Sequence, residues 1–186
     1  MRKAIVSALM MTLLLLPGCG EREAKLQKSF DDLRAAVTVA EHIAFQAELT
    51  ADYGDIVTDY TLKADYDGSK TTVEILAPEL IAGVKASAQR GETEVSYDGV
   101  LLGAGPLDQE GLTAMSALPV MVDAMASAYV ELIWREDDAI AARLYVGEQS
   151  VMTLWLDRMT RAPMGMEVAS DGRTVITCTI TDWEIS

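Results

Sequence analysis

The chain has one histidine and two cysteines, so few of its residues could carry out acid–base or nucleophilic chemistry. A serine or cysteine hydrolase needs a histidine that a carboxylate orients beside a nucleophile. His42 follows Glu41 directly, and adjacent residues of a strand point to opposite faces, which argues against that pairing. We therefore predict no catalysis and interpret His42 as a structural or exposed residue.

Metal and cofactor sites are not predicted either. One histidine and one spare cysteine do not form a zinc ligand pattern. The three carboxylates of Glu136-Asp137-Asp138 could hold calcium, but such a cluster at a hairpin is more often a solvated turn. Gly103-Ala104-Gly105 lacks the lysine and the serine or threonine of a phosphate loop, so we interpret it as a turn.

Cys19 has the clearest chemical context of any residue in the chain. Two basic residues, Arg2 and Lys3, precede an apolar run from Ala4 to Leu16, which is the pattern of a secretory signal. The run is shorter than the roughly 20 residues that a membrane-spanning helix needs. Leu16-Pro17-Gly18-Cys19 resembles the lipobox of bacterial lipoproteins, apart from Pro17, where alanine or serine is usual.

This resemblance implies that signal peptidase II cuts before a diacylglyceryl Cys19 whose acyl chains, such as palmitate, anchor the protein stably. We predict a lipoprotein signal peptide at 1–18, a lipidated tether at 19–22 and one domain at 23–186. The alternative is an ordinary secretory leader with an incidental cysteine. Either leader predicts export. The lipid would fix the protein to the extracytoplasmic face of the cell membrane or, in a cell with two membranes, to the outer membrane.

The net charge restricts the partners of the exported chain. Without residues 1–18, 168 residues remain, with 13 basic and 29 acidic side chains and a formal charge of −16. Such a chain repels phosphate backbones and anionic surfaces, so we predict no binding to nucleic acid, and the membrane affinity must come from the acyl chains. Cys178 is left without a partner, and we interpret it as a small buried residue of a strand.

The hydrophobic pattern predicts an antiparallel protein that is mainly β with helices (α+β). Apolar residues at helical spacing indicate one helix at 21–40 and a second at about 111–129, which Pro119 should kink or divide. Elsewhere apolar and polar residues alternate in about ten or eleven strands that are joined by short turns, several of them Asp-Gly. In the strand at 174–185, the apolar residues switch from one face to the other near Asp182, which predicts a bulge there.

The order of these elements resembles the lipoprotein-carrier superfamily typified by LolA and LolB. The local matches are Phe45, Ala47 and Leu49 in the first strand, then Leu154-Trp155-Leu156-Asp157, Pro163, Glu167 and Asp171-Gly172 near the end. The resemblance implies a curved, incomplete antiparallel barrel with the first helix and the helical insert on its concave side.

The resemblance also implies that this concave side accepts acyl chains. The residues that would line it are Phe45, Leu49, Tyr60, Leu62, Val73, Ile75, Leu132, Trp134, Leu154, Met164 and Met166, with Met115, Met121 and Met125 facing them from the insert. Methionine suits such a lid because its flexible thioether repacks around irregular ligands. A methionine stripe at helical spacing is also typical of a plain core, and that alternative stays open.

Two functions follow from the resemblance. The first is a tethered lipoprotein that accepts, stores or presents a lipid or another apolar ligand. Soluble carriers of the family use a basic residue on the concave face to govern opening, and we match no arginine or lysine to that role. The second is a non-catalytic module that binds an exported protein partner, as spore-germination lipoproteins of this fold do. Its partner would meet the acidic outer surface or the loop at Leu80-Ile81.

Overall fold

The computed structural model describes residues 19–89, 92–104 and 110–186. The predicted leader therefore lies outside the described residues, as does part of the segment after Gly103. Within these ranges the chain forms two α-helices, one 3-10 turn at Glu79–Ile81 and eleven β-strands.

Helix α1 spans Cys19–Val39 and helix α2 spans Ala114–Ser127. Three residues of the apolar stripe of α1, Phe30, Leu33 and Val37, are buried, as their spacing predicts. The side chain of Thr113 accepts a hydrogen bond from the backbone N–H of Ser116, whose side chain in turn accepts from the N–H of Thr113. This capping box begins α2, which then continues through Pro119 as one helix.

The strands form a single sheet in the order β6-β5-β4-β3-β2-β1-β11-β10-β9-β8-β7. Every neighbouring pair is antiparallel. The strands are β1 (Ile43–Asp52), β2 (Val57–Tyr66), β3 (Thr71–Ala77), β4 (Lys85–Gln89), β5 (Glu92–Tyr97), β6 (Val100–Ala104), β7 (Tyr129–Glu136), β8 (Ala139–Tyr145), β9 (Ser150–Asp157), β10 (Pro163–Ser170) and β11 (Arg173–Ile185).

Two meanders, β1–β6 and β7–β11, meet where β1 pairs with β11. The sheet does not close, because β6 and β7 are its two edges, and the segment that contains α2 connects them in sequence. The predicted fold class is thus confirmed: an incomplete antiparallel barrel of eleven strands with a leading helix and a helical insert.

Turns and bulges follow the local sequence. Both residues of Asp98-Gly99 have positive φ, 49° for the aspartate and 77° for the glycine, as a type I′ hairpin turn requires. The same holds for Asp171-Gly172, with φ angles of 52° and 76°. The register between β1 and β11 shifts between Ala44 and Gln46, opposite Asp182, which has a φ of 53°. The bulge predicted near Asp182 is therefore present, and it turns Trp183 inward to lie 5.2 Å from the ring of Phe45.

Candidate functional site

Eight of the residues predicted to line the concave side lie together on one face of the sheet. Register pairs Leu49 with Tyr60 across β1 and β2, and Leu62 with Ile75 across β2 and β3. On the other meander, Leu154 pairs with Met166. The side chains on this face are Phe45, Leu49, Tyr60, Leu62, Val73, Ile75, Leu154 and Met166, and all but the half-buried Tyr60 are at most 4% exposed.

The two helices cover this face. Met121 and Met125 of α2 are fully buried in the same core as the sheet residues, and the partly buried Met115 packs against it. Helix α2 contacts β1–β4, whereas α1 contacts α2 and the edge strand β7. The predicted lining residues on this face therefore share one hydrophobic core with the protein's own helices.

Three predicted lining residues face the other way. Leu132 is 50% exposed and pairs with Arg143, because a bulge between Val130 and Leu132 reverses the parity of β7. Trp134, two residues further on, shares this outer face. The prediction that these two residues line the concave side was wrong.

Met164 also lies outside, and its predicted position was wrong for the same reason. It is 47% exposed and lies at a register shift between Pro163 and Gly165 on β10. Pro163, its neighbour, takes the buried position opposite Leu156. A bulge thus moves one methionine from the predicted face to solvent.

Trp134 belongs to an outer cluster that alternation alone does not predict. Trp134 and Trp155 both pair with Ala141 from either side, and each indole N–H donates to the same Oε2 of Glu136 at 3.1 Å. Ala141 is fully buried beneath them. The carboxylate of Glu136 at the acidic turn therefore has a structural role in holding two aromatic rings.

Arg34 is a basic residue on the concave side, where no arginine or lysine was expected. From the middle of α1, its Nε donates to the carbonyl of Met125 at 3.1 Å, and its Nη2 donates to the carbonyl of Ala128 at 2.6 Å. The guanidinium also lies 5.0 Å from the ring centroid of Phe30. One planar side chain thus joins α1 to the C-terminal end of α2, where unpaired carbonyls favour a cation.

The histidine and the buried cysteine occupy separate places. His42 Nε2 lies 3.2 Å from Oδ2 of Asp65, and both side chains are about half exposed. Burial, with a smaller effect of the charge on Glu48, raises the pKa of the Cys178 thiol to about 12. Cys178 is therefore a protonated residue of the core at neutral pH. Within the described ranges, no group of three or more histidine, cysteine or acidic side chains is placed to hold a metal ion.

Cys19 is the first residue of α1. The residues of this helix that pack against the core begin at Leu26. The predicted tether at 19–22 is therefore helical and continuous with the domain. No helix in the described part of the chain is both long and apolar enough to cross a membrane.

Solved bacterial structures share this fold with the chain. The chain is similar to a LolA superfamily protein from Nitrosomonas europaea, with 12% identity over 87% of this chain and 93% of that one and a TM-score of 0.53. A Vibrio parahaemolyticus protein, assigned as an outer membrane lipoprotein-sorting domain, matches with 8% identity over 87% and 93% of the two chains and a TM-score of 0.50. A conserved Thermus thermophilus protein matches with 10% identity over 87% and 88% and a TM-score of 0.50.

These likenesses define the class of the fold: the chain has the fold of the LolA superfamily protein. Comparison of the sequence with models of protein families and with curated proteins finds no match. The fold is thus shared at identities of 8–12%, where the architecture is retained although most side chains differ.

Proposed function

We propose that this chain is an exported lipoprotein, anchored through Cys19, that binds a lipid or another apolar ligand between its concave sheet and its two helices. The ligand would be accepted, stored or presented at the extracytoplasmic face of the cell membrane or, in a cell with two membranes, at the outer membrane. A protein held by two acyl chains just before its first helix does not shuttle as a soluble carrier does. Nucleic acid is not a partner in this proposal, and no catalytic step is involved.

The observation that carries the proposal is the lid-like arrangement of the helices. The concave face is apolar, and α2 covers it with Met115, Met121 and Met125, whose flexible side chains adapt to irregular shapes. The two hydrogen bonds of Arg34 join the helices to each other. Breaking these two bonds would let the helices separate and expose an apolar surface. Contact of this surface with water is unfavourable, and an acyl chain would cover it.

Native mass spectrometry of the purified protein, before and after removal of lipid, tests the proposal. We expect lipid to copurify with the protein, and we expect the lipid-free protein to take up an offered phospholipid or fatty acid. The test variant is Met125→Trp, which adds bulk to the buried face and should lower uptake. The matched control is Met159→Trp, the same change at a site that is 88% exposed, and it should leave uptake unchanged. Absence of both copurified lipid and uptake would refute the proposal.

The second candidate function, a module that binds an exported protein, has its own supporting observation. The sheet is filled by the protein's own helices, and Leu80 in the 3-10 turn after β3 is 91% exposed while its neighbour Ile81 packs against the core. A partner could bury Leu80 without opening the domain. Crosslinking in cells followed by purification tests this function. A stoichiometric protein that is lost with Leu80→Ser would favour it, and its absence would count against it.

A further inference from the structure

A groove of about 830 Å³ lies where the N-terminal half of α1 crosses the β7–β8 hairpin and the turn after β9. Three basic side chains from three separate elements line it: Lys25 of α1, Arg135 near the end of β7 and Arg158 just after β9. Asp137 in the hairpin is the carboxylate among the lining residues. Three cations against one carboxylate make the groove positive in a chain whose net charge is −14.

These three cations differ from the described basic side chains that form ion pairs with carboxylates. Five others lie within 4 Å of a carboxylate, in the pairs Lys28–Asp32, Lys85–Glu74, Arg143–Glu131, Arg161–Asp32 and Arg173–Asp52.

In the groove, by contrast, Arg135 Nε donates at 3.1 Å to the backbone carbonyl of Asp137. Across the described parts of the chain, no hydrogen bond or ion pair engages the ammonium of Lys25 or the guanidinium of Arg158. The chain has 29 acidic residues for 15 basic ones, so carboxylate partners are plentiful. Cations that meet in one groove without such a partner are available for an external anion.

The inner side of the groove is apolar. Leu26 of α1 and Ile140 of β8 line it, and both belong to the core or pack against it. Ile140 pairs with Arg135 in register, so the same hairpin carries an apolar contact and a guanidinium side by side. Lys25 is six residues after Cys19 in the same helix, which is about 9 Å along the helix axis. A lipid-anchored Cys19 would therefore hold the groove close to the membrane surface.

We propose that this groove binds the phosphate group of an amphiphile, with Lys25, Arg135 and Arg158 around the phosphate and the alkyl tail directed over Leu26 and Ile140 into the core. The phosphate part stands on the groove itself, and the tail part rests on the proposed apolar site. The guanidinium of each arginine is a planar fork of N–H donors that fits two phosphate oxygens. Hydrogen bonds between such a cation and a phosphate are stronger than hydrogen bonds between neutral groups. The protein thus selects anionic phospholipid-like ligands although its overall charge repels anions.

Three probes separate the head group from the tail: dodecyl phosphate, dodecyl maltoside and inorganic phosphate. Their affinities for the chain from Cys19 to Ser186 are measured by calorimetry below the micellar concentrations. Every described buried residue of the core lies between Phe30 and Ile180, so this chain contains the whole core. The test variant is Arg135→Gln with Arg158→Gln. The control is Arg143→Gln, the same change on the outer face, and circular dichroism checks that each variant folds.

We expect the wild type and the control to bind dodecyl phosphate at least about tenfold more tightly than dodecyl maltoside. The double variant should lose this preference and keep its affinity for dodecyl maltoside. If the double variant binds dodecyl phosphate as tightly as wild type does, the groove is not the phosphate site and the inference is overturned, while the proposed apolar site stands.

Two further outcomes separate the ligand sources. If inorganic phosphate alone binds wild type but not the double variant, and neither dodecyl probe binds, the groove takes a free anion. Both the amphiphile and the proposed apolar site are then refuted. If no probe binds at all, both proposals fail together. Tighter binding of dodecyl phosphate than of inorganic phosphate, lost in the double variant, supports the amphiphile.

Discussion

Replacing Arg34 by glutamine removes the guanidinium that joins α1 to α2. The side chain makes two part-buried hydrogen bonds to the carbonyls of Met125 and Ala128 and lies against the ring of Phe30. Hydrogen bonds that involve a charged group contribute about 1.5–3 kcal/mol each, and a cation at a helix C-terminus adds a few tenths or more. Since glutamine and water can recover part of this, we expect the free energy of unfolding to fall by about 3 kcal/mol.

Two measurements check this expectation. Thermal unfolding should show a Tm about 6–12 °C lower than wild type, the range that such a loss gives for a domain of this size. Hydrogen exchange should become faster at the amides of the C-terminal turn of α2, because opening of the helix pair costs less. Arg34→Lys should be intermediate, since it keeps the charge but loses the planar fork.

Arg143→Gln is the matched control for this change. Arg143 is exposed, lies 3.8 Å from Glu131 and contacts Trp134 on the outer face, so its loss should cost under about 1 kcal/mol and leave the exchange of α2 unchanged. The reasoning about Arg34 is refuted if Arg34→Gln unfolds like the control and α2 keeps its protection. The helices would then be held by apolar packing alone.

Three more predictions concern the core. Met125→Ala should lower the free energy of unfolding, measured by urea denaturation, by about 2–4 kcal/mol, because Met125 is fully buried. Met159→Ala, at a residue that is 88% exposed, should change it by less than about 0.5 kcal/mol. Gly165→Ala should cost about 1–3 kcal/mol in the same assay, because its Cβ would lie 2.6 Å from the backbone oxygen of Cys178. Burial raises the pKa of Cys178 from its ordinary value of 9.0 to about 12, so its contribution to stability is complete below pH 9. It should be lost as pH rises toward 12, by up to about 1.4 kcal/mol per pH unit.

Each of these expectations has a result that contradicts it. Equal destabilisation by the two methionine variants would mean that Met125 is not a core residue. A neutral Gly165→Ala would mean that β10 and β11 are further apart than the structure places them. For the thiol, the comparison is with Cys178→Ala, in which all other groups titrate as before. Parallel stability curves of the two proteins above pH 9 would contradict the raised pKa.

The fold could be predicted because its signals are local. The stripe of Phe30, Leu33 and Val37 marks α1, and strict alternation in β1 and β2 assigns the buried face residue by residue. Asp-Gly dipeptides mark hairpins, and the parity change in the last strand marks the bulge at Asp182. Each of these features depends on residues a few positions apart, so one sequence contains the information.

The errors come from bulges that leave no clear local signal. An extra residue in β7 turns Leu132 and Trp134 outward, and another in β10 exposes Met164, although simple alternation places all three inside. Aromatic and aliphatic residues occupy both faces of these strands, so hydrophobicity alone could not reveal the shift. The pairing of Trp134 and Trp155 through Glu136 depends on this outward position.

The most informative site residues could not be predicted because their partners are distant in sequence. Arg34 binds carbonyls 91 and 94 residues further along the chain. The groove joins Lys25 of helix α1 to Arg135 and Arg158 of the second meander. Nothing in the sequence around these residues distinguishes them from other surface cations. Only the crossing of α1 over the β7–β8 hairpin brings them together.

The central claim is that a lipid binds between the concave sheet and the helices, and the ten methionines of the chain allow a direct test. Cells supplied with photoreactive methionine are irradiated, and the purified protein is digested and searched by mass spectrometry for peptides that carry a lipid. We predict adducts at Met121, Met125 or Met166, which are buried on the concave side, and none at the exposed Met159 and Met164. Lipid adducts confined to Met159 and Met164, or no lipid adduct on any methionine, would contradict the claim.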